Sequence, residues 1–308
     1  MHPIEQANQP ANQQQLHQAT KGVQHMPKYF RLCSISRLPG LEGKGVQNEA
    51  TLYHPTTSLT VRWASSAVDI RLNRGGLVMV HGCGGRTTVP DRVAVTKIEH
   101  IDRPVVSINP FEFVPGAWLP NTEFLRRAAT LWERLDRPFQ HLFNAVLWDG
   151  QRFYRYITGP ASLIDDVVPP GANFAYAVEL AEQALSLAEG LPHINRNVLI
   201  VAALLGDAGK AEGFKRTPEG GLNLTERGRW IGYQQTVLEW LAVAREKVIV
   251  ADSSYHRLVH VLMARANPSV MPIADEIAFL RSAASFVESP VRFHGFPSDL
   301  SAIPTSTC

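Results

Sequence analysis

Asp207 is the residue around which chemistry would turn. It follows an uninterrupted apolar run, Val198 to Leu205, in the stretch Gly206-Asp207-Ala208-Gly209-Lys210, so a carboxylate closes a helix that has to be buried. A buried carboxylate needs a cation, a metal ion or a proton. Arg265 or Lys210 is expected to supply the pairing cation. Asp165, Asp166, Glu212 and Asp252 are the acids that could instead join it in an oxygen-only site for magnesium or manganese. His256 and His260 lie four apart, a spacing that turns two imidazoles to one side of a helix, but two ligands underfill a zinc site and no third is nearby. An ordinary structural role is expected for that pair, and a surface role for His193. The glycines of Gly82-Cys83-Gly84-Gly85-Arg86 suggest a phosphate cradle. Without a following Gly-Lys-Ser/Thr they read better as a turn after a strand. Lys210 and Arg216 read either as a phosphate-binding edge or as a solvated helix end. Cys33, Cys83 and Cys308 form no CxxC pair and indicate neither a disulfide framework nor a thiolate zinc site.

The elements that must position these residues fall into two textures. Residues 1–27 are a polar, Gln-rich leader without hydrophobic period and are expected to be a disordered tail. Short alternating or apolar runs follow at Tyr29 to Ile35, Glu49 to His54, Leu59 to Ala64, Leu77 to His81 and Val93 to Ile101, separated by Pro and Gly, with a short helix expected between Ser65 and Asn73. Five strands and one such helix over 28–103 suggest an OB-fold barrel. A proline-rich linker occupies 104–120. From 121 to 290 the period turns helical, with helices expected at Phe124 to Leu135, Pro138 to Trp148, Asn173 to Glu189, Asn195 to Leu205, Gly228 to Ala244, Ser254 to Ala266 and Ile273 to Val287. A loose C-terminal tail is expected over 291–308. The fold class is therefore α+β, a barrel followed by an all-α domain.

With 45% hydrophobic residues the 308-residue chain can bury a core, which excludes a disordered body. No apolar run is long enough to span a bilayer, and the N-terminus lacks the apolar core of a secretory signal; a cytoplasmic protein with no membrane partner is expected. The net charge of +2 conceals an asymmetry. Residues 28–103 carry eleven Lys/Arg against six Asp/Glu, whereas the helical half is net acidic. A basic barrel with interleaved aromatics is the composition of a surface that follows a single strand of nucleic acid, the alternative being a mildly basic barrel with those aromatics in its core. Arg31, Tyr53, Arg62, Trp63, Arg71, Arg74 and Arg86 are the candidate contacts to single-stranded RNA or DNA.

The Gly-Asp-x-Gly-Lys stretch resembles the His-Asp-x-Gly-Lys motif of HD-superfamily metal-dependent phosphohydrolases, with Gly206 in the place of the metal-binding His. Thr225-Glu226-Arg227-Gly228-Arg229-Trp230-Ile231-Gly232-Tyr233 and Gly159-Pro160-Ala161-Ser162 resemble segments of the YhaM-type 3′–5′ exoribonucleases, which also place an OB-fold before the HD domain. The resemblance implies an HD-like helical domain and makes self-association into a homo-oligomer an expectation. Carried over by spacing, the family's ligand positions hold Tyr176, Gly206, Asp207, Tyr233, Arg265, Ala266 and Ala284, with Asp165-Asp166 at an early His pair. Of these HD positions only Asp207 retains its residue. Glycine and alanine offer no donor, a phenol ligates poorly at neutral pH, and a guanidinium opposes a dication. The expected function is thus a non-catalytic, pseudo-HD binding protein for single strands, with no metal cofactor. The alternative is an active 3′–5′ exonuclease using manganese or magnesium in a rearranged site around Asp207.

Overall fold

The computed structural model describes residues 26–40, 44–86, 92–160, 169–217, 221–267 and 269–288, without the side chains of 83–86, Arg216 and Ala266. The leader up to residue 25, Asp165 and Asp166, Ala161-Ser162 and the tail at 291–308 lie outside the described residues, as do the side chains of Cys83 and Arg86.

Five strands, β1 (Tyr29–Pro39), β2 (Val46–His54), β3 (Thr57–Ser65), β4 (Leu77–Arg86) and β5 (Arg92–His100), close into a barrel in the order β1-β2-β3-β5-β4. The β3–β5 pair is parallel and the others antiparallel. Alternation of side chains along each strand sends Phe30, Leu32, Ala50, Leu52, Val61, Trp63, Val78, Val95 and Ile98 into the barrel core. The expected helix between Ser65 and Asn73 is absent; residues 66–76 are bends and turns. The reason is local: Arg37 donates to the carbonyls of Asp69 (3.1 Å) and Leu72 (2.6 Å), and Asp69 accepts the Arg71 amide two residues on (3.0 Å), so these groups are not available to a helical ladder. Nor is Gly82 a turn after β4. The strand continues to Arg86, and Gly82 has φ +61°, with Thr96 where a Cβ would project.

The helical region comprises α1 (Glu123–Glu133), α2 (Arg137–Val146), α3 (Gly150–Thr158), α4 (Ala172–Leu187), α5 (Arg196–Leu205), α6 (Lys210–Gly213), α7 (Glu226–Trp230), α8 (Tyr233–Arg245), α9 (Asp252–Ala266) and α10 (Glu276–Val287), with a two-stranded hairpin, β6 (Phe214–Arg216) and β7 (Leu222–Leu224), after α6. Side-chain caps set the starts: Asp136 accepts from the Phe139 amide, Asp149 from Arg152, Asn195 from Val198 and Thr225 from Gly228. The single helix expected from Gly228 to Ala244 is two, because Gly232 takes φ +82° between α7 and α8. Helix α10 begins at Glu276 rather than Ile273. Helix α5 is buried on all sides from Val198 to Leu205 and forms the axis around which α2, α4, α9 and α10 pack. Among the described residues no helix is long and apolar enough to cross a membrane.

Barrel and helical region are docked without a free linker. Ile108, Phe111, Phe113, Val114 and Leu119 of the expected 104–120 linker are buried, with Leu77, Ile108 and Phe113 forming a small core of their own between the two parts. Arg31 lies at the centre of this seam, 3% exposed, its guanidinium donating to the carbonyls of Gly75 (2.8 Å), Pro110 (3.0 Å) and Phe113 (3.2 Å) and lying 4.2 Å from the Phe153 ring centroid. Gly75 and Gly150 meet backbone to backbone; a Cβ on either would overlap the other side's main chain. Beside them His54 packs between Phe30 and Phe113, and its Nδ1 accepts the Thr56 amide (3.1 Å). That acceptor role requires the neutral ring, and burial holds its pKa below the usual 6.5. The depressed value means the His54 contribution to stability is complete above pH 6.5 and is lost as pH falls through the lower folded pKa. Thermal denaturation from pH 7 to 5 should show a fall in Tm that is reduced in His54→Gln; an unchanged slope in that variant counts against the assignment.

Candidate functional site

The apolar helix α5 delivers Asp207 to a point where α4, α8 and α9 converge. The Asp207 side chain is 16% exposed, and its Oδ2 lies 3.4 Å from Arg265 Nη2 and 3.5 Å from Lys210 Nζ, whose side chains are equally buried. Both cations considered from sequence therefore pair with it. Arg265 also reaches the Ala202 carbonyl (3.4 Å), so one guanidinium ties α9 to the last turn of α5. Burial and opposite charge together hold the cluster, since removing water strengthens each attraction and makes each unpaired member costly.

Gly206 explains how Arg265 fits. A Cβ at 206 would overlap the Arg265 guanidinium, so the cation fills the room that a larger side chain at 206 would need. Gly209 is similarly constrained, because a Cβ there would overlap the Tyr233 carbonyl. The Thr225 to Gly228 segment docks on α6 in the same manner: the Thr225 hydroxyl donates to the Glu212 carbonyl (2.7 Å), and Gly228 abuts Gly213. Gly209 and Gly228 thus mark close backbone approaches, whereas Gly206 makes room for a side chain.

The other described positions to which the resemblance points are engaged elsewhere. The Tyr176 hydroxyl donates to Glu288 Oε1 (2.9 Å), and Tyr233 is half-buried with Lys210 Nζ 5.2 Å from its ring centroid. Burial pushes the phenols of Tyr176 and Tyr233 up, with Asp207 adding to the effect, so both stay protonated and neutral at physiological pH. Ala284 packs against the helical core, and the Ala266 side chain is among those not described. Glu212 is held by Arg152 (3.3 Å) and Arg227 (3.4 Å), and Asp252 by Arg245. Among the described residues no group of three His, Cys, Asp or Glu side chains converges as a metal site would require. Among the described residues the donor set around Asp207 does not fit a catalytic dication: one carboxylate faces two cations, and two protonated phenols stand nearby.

Two residues of this cluster were not among the sequence candidates. Asn173, 2% exposed on α4, donates to the Asp207 carbonyl (3.1 Å) while its own Oδ1 has no protein partner. Glu288 anchors Tyr176. Neither carries a spacing signal, because both act across long chain separations. His260 accepts the Ile273 amide (3.2 Å), His256 is exposed, and exposed His193 lies 3.8 Å from Asp275.

On the barrel the expected nucleic-acid contacts divide. Two are corrected outright: Trp63 is in the barrel core, sent inward by strand alternation, and Arg31 spends its donors on the seam. Arg62 and Arg71 are exposed but paired, the first with Glu49 and the second with Asp69 (2.9 Å) and Asp102 (3.1 Å). Arg92 shares Glu49 (3.2 Å). Arg74 is exposed, donates to the Cys33 carbonyl (3.0 Å) and the Tyr154 hydroxyl (3.2 Å), and lies 5.1 Å from the Tyr154 ring centroid. Tyr53 is half-buried and lines a cavity of about 390 Å³ with Phe111 and Glu112. Comparison with protein-family models, curated proteins and solved structures gives no match.

Proposed function

We propose that this protein is a non-catalytic, cytoplasmic binding protein in which an OB-type barrel grips single-stranded RNA or DNA and an HD-like helical body serves as its scaffold. The observation that carries the non-catalytic half is the clamp on Asp207: the acid that a metal centre would need is already neutralised by Arg265 and Lys210, and Arg265 fills the room beside Gly206. The strand order β1-β2-β3-β5-β4, with β3 and β5 parallel, supports an OB reading of the barrel, and its charge excess supports a polyanionic partner.

Fluorescence anisotropy with a labelled hydroxyl-ended single strand, repeated across a salt series, tests the binding half. Affinity should fall steeply as salt rises, and Arg62→Glu should weaken binding by about tenfold at low salt. Absence of binding at low salt overturns it. The same strand incubated with manganese should keep its 3′ end intact; trimming that disappears in Asp207→Ala would establish a hydrolase instead.

A further inference from the structure

A second pocket lies away from the barrel core, between α3, α6 and the β6–β7 hairpin. Its volume is about 510 Å³, inside the range of about 300 to 1,000 Å³ occupied by small-molecule sites. Among the described residues three cations line it, Arg155, Lys210 and Lys215, and no Asp or Glu does. Lys210 shares Asp207 with Arg265. Arg155 is exposed and reaches only a neutral group, the Gln151 side-chain oxygen (3.4 Å). Lys215 is exposed, with no carboxylate shown against it among the described residues. Arg155 and Lys215, exposed cations with no carboxylate against them among the described residues, are the arrangement that receives a phosphate.

The opposite character is supplied by Tyr154 and Phe214, with Ala211 and Leu222 beside them. Tyr154 is held rigidly: Trp118 meets its ring edge-on with centroids 4.8 Å apart, and Arg74 from the barrel binds its hydroxyl. A fixed aromatic wall beside a cationic wall suits a ligand that carries a flat ring and a phosphate together.

We propose that this pocket binds a nucleoside monophosphate unit, with its phosphate toward Arg155 and Lys215 and its base against Tyr154 and Phe214. The unit could come from a free nucleotide or from the phosphorylated end of a strand.

Calorimetric titration of the full chain with AMP, adenosine and inorganic phosphate tests the chemistry. AMP should bind, with adenosine and phosphate each at least about tenfold weaker, because each supplies one half of the ligand. Lys215→Glu and Arg155→Glu, both at exposed positions, should each weaken AMP by about tenfold or more with Tm unchanged. Tyr154→Ala should weaken AMP while leaving phosphate binding as it was. Octamers of one sequence ending in hydroxyl, 5′-phosphate or 3′-phosphate then separate the sources. A phosphorylated octamer that outbinds the hydroxyl form and is displaced by AMP identifies a strand end, whereas AMP binding without that preference identifies a free nucleotide. Failure to bind AMP, equal affinity for AMP and phosphate, or undiminished AMP binding in both charge-reversed variants overturns the proposal. The hydroxyl-ended strand reports on the barrel separately, so either reading can fail alone.

Discussion

Arg31→Ala should lower stability by about 3 to 5 kcal/mol and loosen the barrel from the helical region. Three backbone carbonyls, of Gly75, Pro110 and Phe113, accept from this one guanidinium in a site closed to water, and truncation leaves all three without it. The vacated volume beside the Phe153 ring adds a packing loss. Arg31→Lys should recover little, since an ammonium on a flexible stem cannot reproduce a planar fork that reaches three carbonyls and lies by an aromatic ring. Urea unfolding measures the loss. If Arg31→Ala unfolds at the wild-type midpoint, the seam is held by its apolar contacts alone.

Asp207→Ala should cost about 2 to 4 kcal/mol, because it removes the carboxylate that separates the largely buried cations Arg265 and Lys210. A double-mutant cycle distinguishes the pairing from simple packing. Asp207→Leu combined with Arg265→Met should be more stable than the sum of the single effects implies, since the second change removes the charge stranded by the first. Additive effects would show that the ion pair is incidental. In either case a manganese-dependent activity is not expected to change, because the wild type is expected to have none.

The barrel was legible because period-two alternation is read directly from Phe30-Leu32, Ala50-Leu52 and Val61-Trp63, and each strand's inward set follows. The long apolar helix ending at Asp207 was legible for the same kind of reason, and the pairing of Asp207 followed from the cost of burying a lone charge. Strand lengths were underestimated where polar residues such as Ser36 and Arg37 continue the β1 ladder opposite Glu49 and Asn48. Helix α3 was missed because its start depends on the Asp149 cap more than on hydrophobic period. The role of Arg31 was misassigned because a basic residue in a basic domain looks like surface until its distant acceptors are known; Pro110 and Phe113 lie about eighty residues away in sequence. Trp63 was misread by weighing its aromatic ring above its inward register.

The mutual fit of Gly206 and Arg265 ties the two positions together. Installing an imidazole at 206 in a single step collides with the guanidinium, whereas altering Arg265 alone removes one of the two counterions of Asp207. Each change is penalised on its own, so the two positions are coupled: a side chain at 206 and the guanidinium of Arg265 exclude one another, and neither site is free to change first.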